Sequence, residues 1–267
     1  MNPLQYASHA GKDSTSPTVL MARSRFGRFK PEERVSTRRA DVPGNKLQSL
    51  RDLREMILNM KPEDVMNMIT LYRNVTVFEA LVLANREGAL IVPNVIHDRI
   101  LTETSNSNFL NNSTVWTGTL ILYEVPGKVF GETLVYAWVH DNVQYSISFN
   151  IPNEFRGQKD CALVVQHPDF DLVPAEGNSY ELIVANESMV HLIENFPSRN
   201  RVWYLYEEQF RIPIGHPVKK SLDRRWVWRA SDCYIGLLVR NDYGVDDRRY
   251  VNAIGRASDE RGVAVIK

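Results

Sequence analysis

The chain reads as an α+β protein, with a mainly antiparallel β-sandwich or barrel body preceded by a short helical segment and an extended N-terminal arm. Three observations predict this. Residues 1–45 show no sustained apolar period, residues 46–88 repeat apolar side chains every three or four positions, and beyond Ala89 the period falls to two. A run of helices followed by a run of strands is the pattern of an α+β fold rather than of alternating βα units. The 267 residues therefore divide into an arm (1–45), a helical segment packed on the body (46–88) and a β-rich body (89–267). That length is enough to bury a sizeable core.

The arm is rich in Ser, Thr, Pro, Gly and Arg. Its cations, Lys12, Arg23, Arg25, Arg28, Lys30, Arg34, Arg38 and Arg39, outnumber Asp13, Glu32, Glu33 and Asp41, which leaves it at about +4. Lys+Arg and Asp+Glu both total 32 in the whole chain, so the remainder is at about −4 and the overall neutrality hides a charge asymmetry. In the densest stretch, Arg23, Arg25, Phe26, Arg28, Phe29 and Lys30 interleave aromatic rings with cations. Such a stretch suits phosphate contact with stacking on unpaired bases, and suits docking on a neighbouring subunit equally well.

Three helices are predicted in residues 46–88. Leu47, Leu50, Leu53, Ile57 and Met60 form one amphipathic stripe. Pro62, followed by Glu63 and Asp64, marks a fresh start, with Val65, Met66, Met68, Ile69 and Leu71 as its buried side. Thr76 with Glu79 has capping-box spacing, Phe78, Leu81 and Val82 follow, and Gly88 supplies the stop. Met56, Met60, Met66 and Met68 fall at helical spacing and are read as core packing rather than as an adaptable partner groove.

Strands follow. Val143, Tyr145, Ile147 and Phe149 alternate with polar residues, and Asp141-Asn142 separates them from the run 129–139, which predicts an antiparallel hairpin. Pro126-Gly127 predicts a turn after a strand over 115–123. Further strands are expected over 89–92, 161–166, 180–185, 201–207, 226–230, 234–239 and 263–266, with a short helix over 187–196 and a long polar loop over 105–114.

The motifs that announce common chemistry are missing. There is no glycine-rich phosphate loop, no G-x-S-x-G elbow and no H-E-x-x-H helix. His167, Asp169 and Asp171 have metal-like spacing, but Pro168 interrupts them and a turn in which Asp side chains bond local amides explains the same residues. His97-Asp98 and His140-Asp141 are adjacent pairs that point apart, and His191 sits among apolar neighbours as a partly buried histidine. Two cysteines, Cys161 and Cys233, exclude a disulfide framework; they are a possible single pair or two small core residues, and Cys161 has no spaced histidine to make it a nucleophile. Triplets of the glycosylation type at Asn74, Asn112 and Asn186 follow no signal-like segment. The expectation is a chain without catalytic, cofactor or metal residues.

The remaining signal is aromatic and basic. Lys219, Lys220, Arg224, Arg225, Trp226, Trp228 and Arg229 put two indoles on one side of a strand framed by cations. They serve a core, a subunit contact or a stacking platform for single-stranded nucleic acid. Arg201, Trp203, Tyr204, Tyr206 and Arg211 repeat the composition, but Glu207 and Glu208 weaken it toward phosphate. Together with the arm, these residues lead to the expectation of a non-enzymatic assembly subunit, such as one of a viral or phage particle. Its partners are copies of itself, other subunits or packaged nucleic acid. The alternative is a single-stranded RNA- or DNA-binding protein. No apolar run reaches membrane-spanning length, and the expected location is the cytoplasm or a viral particle, without secretion through a signal peptide.

Overall fold

The computed structural model describes residues 19–21, 44–103, 114–196, 201–203, 216–218, 221–229, 232–241, 250–253 and 260–267. The first described segment is a strand of the arm, β1 (Val19–Met21). Helix α1 (Gly44–Asn59) is the predicted amphipathic stripe, and α2 (Pro62–Met68) starts at its proline with Glu63 and Asp64 in the first turn. The second helix is shorter than expected. Ile69 and Leu71 belong to a strand, β2 (Ile69–Val75), because the run from Ile69 pairs along its whole length with a distant segment and buries residues on both faces.

Helix α3 (Val77–Glu87) has the predicted ends. Thr76 and Glu79 form a reciprocal capping box, and Gly88 closes the helix at φ 63°. After β3 (Leu90–Ile91) comes α4 (Asn94–Glu103), which lies beyond the segment where helices were expected. Its first turn buries Asn94, His97 and Asp98. With polar residues on the inside, the apolar period that identifies a helix is broken.

The body continues with β4 (Thr114–Tyr123), β5 (Thr133–His140), β6 (Val143–Asn150), β7 (Ala162–Gln166), β8 (Phe170–Pro174), β9 (Ser179–Val184) and β10 (His191–Ile193). It ends with β11 (Arg201–Trp203), β12 (His216–Val218), β13 (Ser221–Arg229), β14 (Tyr234–Asn241), β15 (Tyr250–Ala253) and β16 (Arg261–Ile266). The predicted hairpin joins β5 and β6 in unbroken register, with Asp141 and Asn142 at φ 50° and 63° as a two-residue hairpin turn requires. The Pro126-Gly127 turn is closed by the Lys128 amide on the Val125 carbonyl at 3.0 Å. Instead of a helix over 187–196 there is one 3₁₀ turn, Glu187–Met189, followed by β10. Four clustered apolar residues are too few for a helix that must offset its own nucleation.

The chain is β-rich, as expected, but the body is neither a strictly antiparallel sandwich nor a closed barrel. A twelve-stranded sheet runs β1-β2-β16-β4-β14-β15-β13-β11, with β3, β7, β10 and β12 attached to its members, and a four-stranded sheet runs β5-β6-β9-β8. Both are mixed: β1/β2, β4/β16 and β13/β15 are parallel in the large sheet, and β6/β9 in the small one. Parallel neighbours need long connections, so no local turn announces them.

The large sheet is covered on both faces. On one, Trp116, Leu120 and Leu122 of β4 meet Leu134, Ile147 and Phe149 of the small sheet and the apolar side of α3. On the other, α1, α2 and α4 pack over Leu71, Val115 and Ile266, with Met60, Met66 and Met68 filling the edge of that core as predicted; Met56 stays exposed. Further along the same face, Tyr123, Phe196, Tyr234 and Leu238 form a third cluster. Strand β4 is the hinge of this arrangement, since its start pairs with β16 and its end with β7. The change of partner occurs at Gly118, whose amide donates to the Val92 carbonyl at 2.8 Å and whose carbonyl accepts from the His167 amide at 2.7 Å. A Cβ there would lie 2.2 Å from the Ile91 carbonyl oxygen, so the close crossing requires glycine.

Candidate functional site

Arg23, Arg25, Phe26, Arg28, Phe29 and Lys30 of the arm, together with Lys219 and Lys220, lie outside the described residues. Arg224, Arg225, Trp226, Trp228 and Arg229 fall on β13, longer than the strand predicted from Trp226. Strand β11 runs along one side of it, with Val202 opposite Trp226. On the other side β12 pairs with residues 221–226 and β15 with residues 227–229. The main chain of 225–227 is therefore paired on both sides. Arg201 and Trp203 are on β11, whereas Tyr204, Tyr206 and Arg211 lie outside the described residues.

A buried polar cluster among the described residues is one the sequence did not announce. Between the two apolar clusters on the helical face, α4 contributes Asn94, His97 and Asp98, β4 contributes Thr117 and Thr119, and β14 contributes Arg240, all buried. The Asn94 main-chain N–H donates to Thr119 Oγ1 at 3.1 Å, and that hydroxyl donates to Gln166 Oε1 at 2.8 Å. Thr117 Oγ1 donates to the Leu238 carbonyl at 3.0 Å. Arg240 Nη1 donates to Asn94 Oδ1 at 2.8 Å and forms an ion pair with Asp98 Oδ1. Nothing among the described residues bonds Arg240 Nε or Nη2, or either ring nitrogen of His97.

Burial, reinforced by the Arg240 charge, pushes the His97 pKa down to about 3; the Val92 main chain opposes this weakly. A histidine held neutral in this way takes up no second proton at neutral pH, and the Asp98 carboxylate is paired with Arg240. The seam thus fixes α4 to the sheet through the Asn94 and Asp98 contacts, while four of its buried nitrogens have no partner among the described residues. A buried ion pair is costly to break more than it is stabilising to make.

A second buried carboxylate ties α1 to the body. Asp169 Oδ1 accepts from Arg51 Nε at 2.6 Å and Asp169 Oδ2 from Arg54 Nη1 at 2.7 Å, while the Asp169 side chain is only 2% exposed. The expected turn is present, closed by the Asp169 amide on the Gln166 carbonyl at 2.8 Å, but its carboxylate reaches the helix rather than local amides. His167 Nδ1 accepts from the Ile91 amide at 3.3 Å, and Asp171 Oδ1 from the Leu172 amide at 2.9 Å. The three metal-like residues serve three separate tasks, and no group of three metal-ligating side chains occurs among the described residues.

The other candidates have local roles. His191 is half-buried on β10, its pKa lowered by burial and then by Arg54, with Asp169 opposing. His140 ends β5 with Nε2 3.5 Å from the exposed Asp141 carboxylate. Cys161 and Cys233 are unbridged thiols, and burial, with Glu124 and Asp232 nearby, pushes the Cys233 thiol up, away from the reactive thiolate. Asn74 takes φ 57° where β2 shifts register against β16, and Asn186 caps the 3₁₀ turn; Asn112 lies outside the described residues.

Comparison of the chain with protein-family models, characterised proteins and solved structures returns no match.

Proposed function

We propose that the chain is a non-enzymatic subunit of a larger assembly, in which a rigid β-rich body carries a basic arm that makes contacts between subunits. The observation that carries this reading is the pairing of arm strand β1 with β2, Val19 opposite Leu71 and Met21 opposite Arg73, at the outer edge of the large sheet. An arm that engages a sheet edge through main-chain hydrogen bonds uses the general mode of strand addition, which is indifferent to most side chains and can act between copies as readily as within one. The charge asymmetry supports the same reading, since an arm at about +4 is attracted to a body at about −4.

The test is size-exclusion chromatography with light scattering on full-length and 46–267 protein, each with and without a short single-stranded oligonucleotide at low and moderate salt. The expected result is an oligomer whose order falls when residues 1–45 are removed, with or without the oligonucleotide. An oligomer of unchanged size after the deletion refutes the arm's role. A monomer that co-elutes with oligonucleotide only at low salt replaces this reading with nucleic-acid binding.

A further inference from the structure

Among the described residues the small sheet has an edge that no strand pairs, and its chemistry specifies a partner. Strand β5 pairs with β6 alone among the described residues. The hairpin closes at His140 and Val143 around a two-residue turn, so His140, Trp138, Tyr136 and Leu134 exchange main-chain bonds with β6. The amides and carbonyls of Thr133, Val135, Ala137 and Val139 then point away from it. Two contacts agree with this assignment. Ser146, opposite Ala137 on β6, sends its amide to the Asn178 carbonyl at 3.3 Å, and the Val135 carbonyl accepts from Cys233 Sγ at 2.9 Å.

Those same residues present their side chains outward. Val135 and Val139 are 50% and 59% exposed, among the most exposed large apolar side chains described, and Ala137 between them is exposed as well. Edge strands are ordinarily protected by lysine, proline, a bulge or short length. This one runs eight residues in unbroken register with no Asp, Glu, Lys, Arg or Pro.

We infer that the β5 edge is an assembly surface whose occupant is β5 of a second copy, added antiparallel about a twofold axis through Ala137. The sequence of the strand is what selects the second copy. Val135-Tyr136-Ala137-Trp138-Val139 is symmetric in residue class about Ala137. A twofold there sets Val135 opposite Val139, Tyr136 opposite Trp138, and Ala137 opposite itself, where its small side chain lets the strands approach. Glu132 falls opposite Asn142 and Asp141 opposite Thr133, so no like charges meet across the axis. The outward amide of the second copy's Val139 takes the Val135 carbonyl from Cys233. The two small sheets become one continuous eight-stranded sheet, and the exposed valines gain neighbours. This deepens the assembly reading without depending on the arm.

The experiment uses the full chain with Cys233→Ser, carrying either Ala137→Cys or Val139→Cys, under mild oxidation at micromolar concentration, read on non-reducing gels. Directly opposed residues of a hydrogen-bonded antiparallel pair have Cα atoms about 5.5 Å apart, inside the disulfide range, and Cβ atoms about 5.5 Å apart, which must close by about 1 Å to bridge. Two copies of position 139 would be about 14 Å apart, at roughly 3.4 Å per residue along the strand. The expected result is a disulfide-linked dimer from the Ala137→Cys chain, at least tenfold more abundant than from the Val139→Cys chain. Adding Val135→Lys and Val139→Lys to the Ala137→Cys chain, at exposed positions, should abolish the link. Equal linking at both positions, or none at 137, overturns the inference. If light scattering still finds an arm-dependent oligomer in that case, the arm reading stands and only the β5 edge is lost.

Discussion

His97 allows a stability measurement with its sign fixed in advance. In the native state its pKa lies near 3, because burial cuts the ring off from water and Arg240 repels a second proton, with the Val92 main chain opposing weakly. In the unfolded chain the value returns to about 6.5. Below pH 6.5 the unfolded state therefore takes up a proton that the native state refuses, and stability falls with pH until about pH 3. The slope approaches 1.4 kcal/mol per pH unit, so moving from pH 7.5 to 5.0 removes about 2 kcal/mol through this residue alone. That is a large fraction of the roughly 5–15 kcal/mol typical of a folded domain. The assay is urea unfolding of wild type and His97→Leu at pH 7.5, 6.0 and 5.0. Leucine fills a similar volume and leaves no polar atom unpaired, so the two proteins should be close at pH 7.5. The leucine variant should then gain about 2 kcal/mol on wild type by pH 5.0. The depressed Glu87, whose pKa of about 2 reflects Lys267 and Arg86, loses its contribution only below about 4.5 and does not disturb this window. A difference between the proteins that does not change with pH would refute the buried, neutral assignment.

Asp169→Asn removes the charge that holds Arg51 and Arg54. Since both arginines are partly exposed and can rehydrate, the cost should be about 2–3 kcal/mol, with α1 becoming the first site of limited proteolysis. Gly118→Ala should cost about 3 kcal/mol or prevent soluble expression, because the added carbon meets main chain on β3, whereas Gly131→Ala, in open space, should be tolerated. Thr76→Ala should lower stability by about 1 kcal/mol in denaturant titrations by uncapping α3.

What the sequence revealed was local. The Thr76–Gly88 helix and the Asp141-Asn142 hairpin were legible because each is specified by residues within a dozen positions, through cap and turn chemistry. Helix α4 was not, because Asn94, His97 and Asp98 turn polar groups inward. Strand β2 reads as helix in the sequence because Ile69 and Leu71 extend the helical spacing of Val65 and Met68, and what converts them to strand is β16. The buried seam was hidden for the same reason: Arg240 and Asp98 find each other across 142 positions. The exposed symmetry of β5 was present in the sequence, but it gains meaning only once β5 is known to be an edge.

The place of β16 between β2 and β4 also bears on how the protein is made. Strand β2 must wait for a partner encoded about 190 residues later, which at ribosomal rates is a delay of roughly 10–40 s. During that interval an apolar strand is exposed on the nascent chain. Strand β1, synthesised first, is the one strand partner of β2 already at hand among the described residues, and its parallel pairing with Leu71–Arg73 would shield one edge of β2 while the other stays open. The arm would in that case act first as a chaperone in cis.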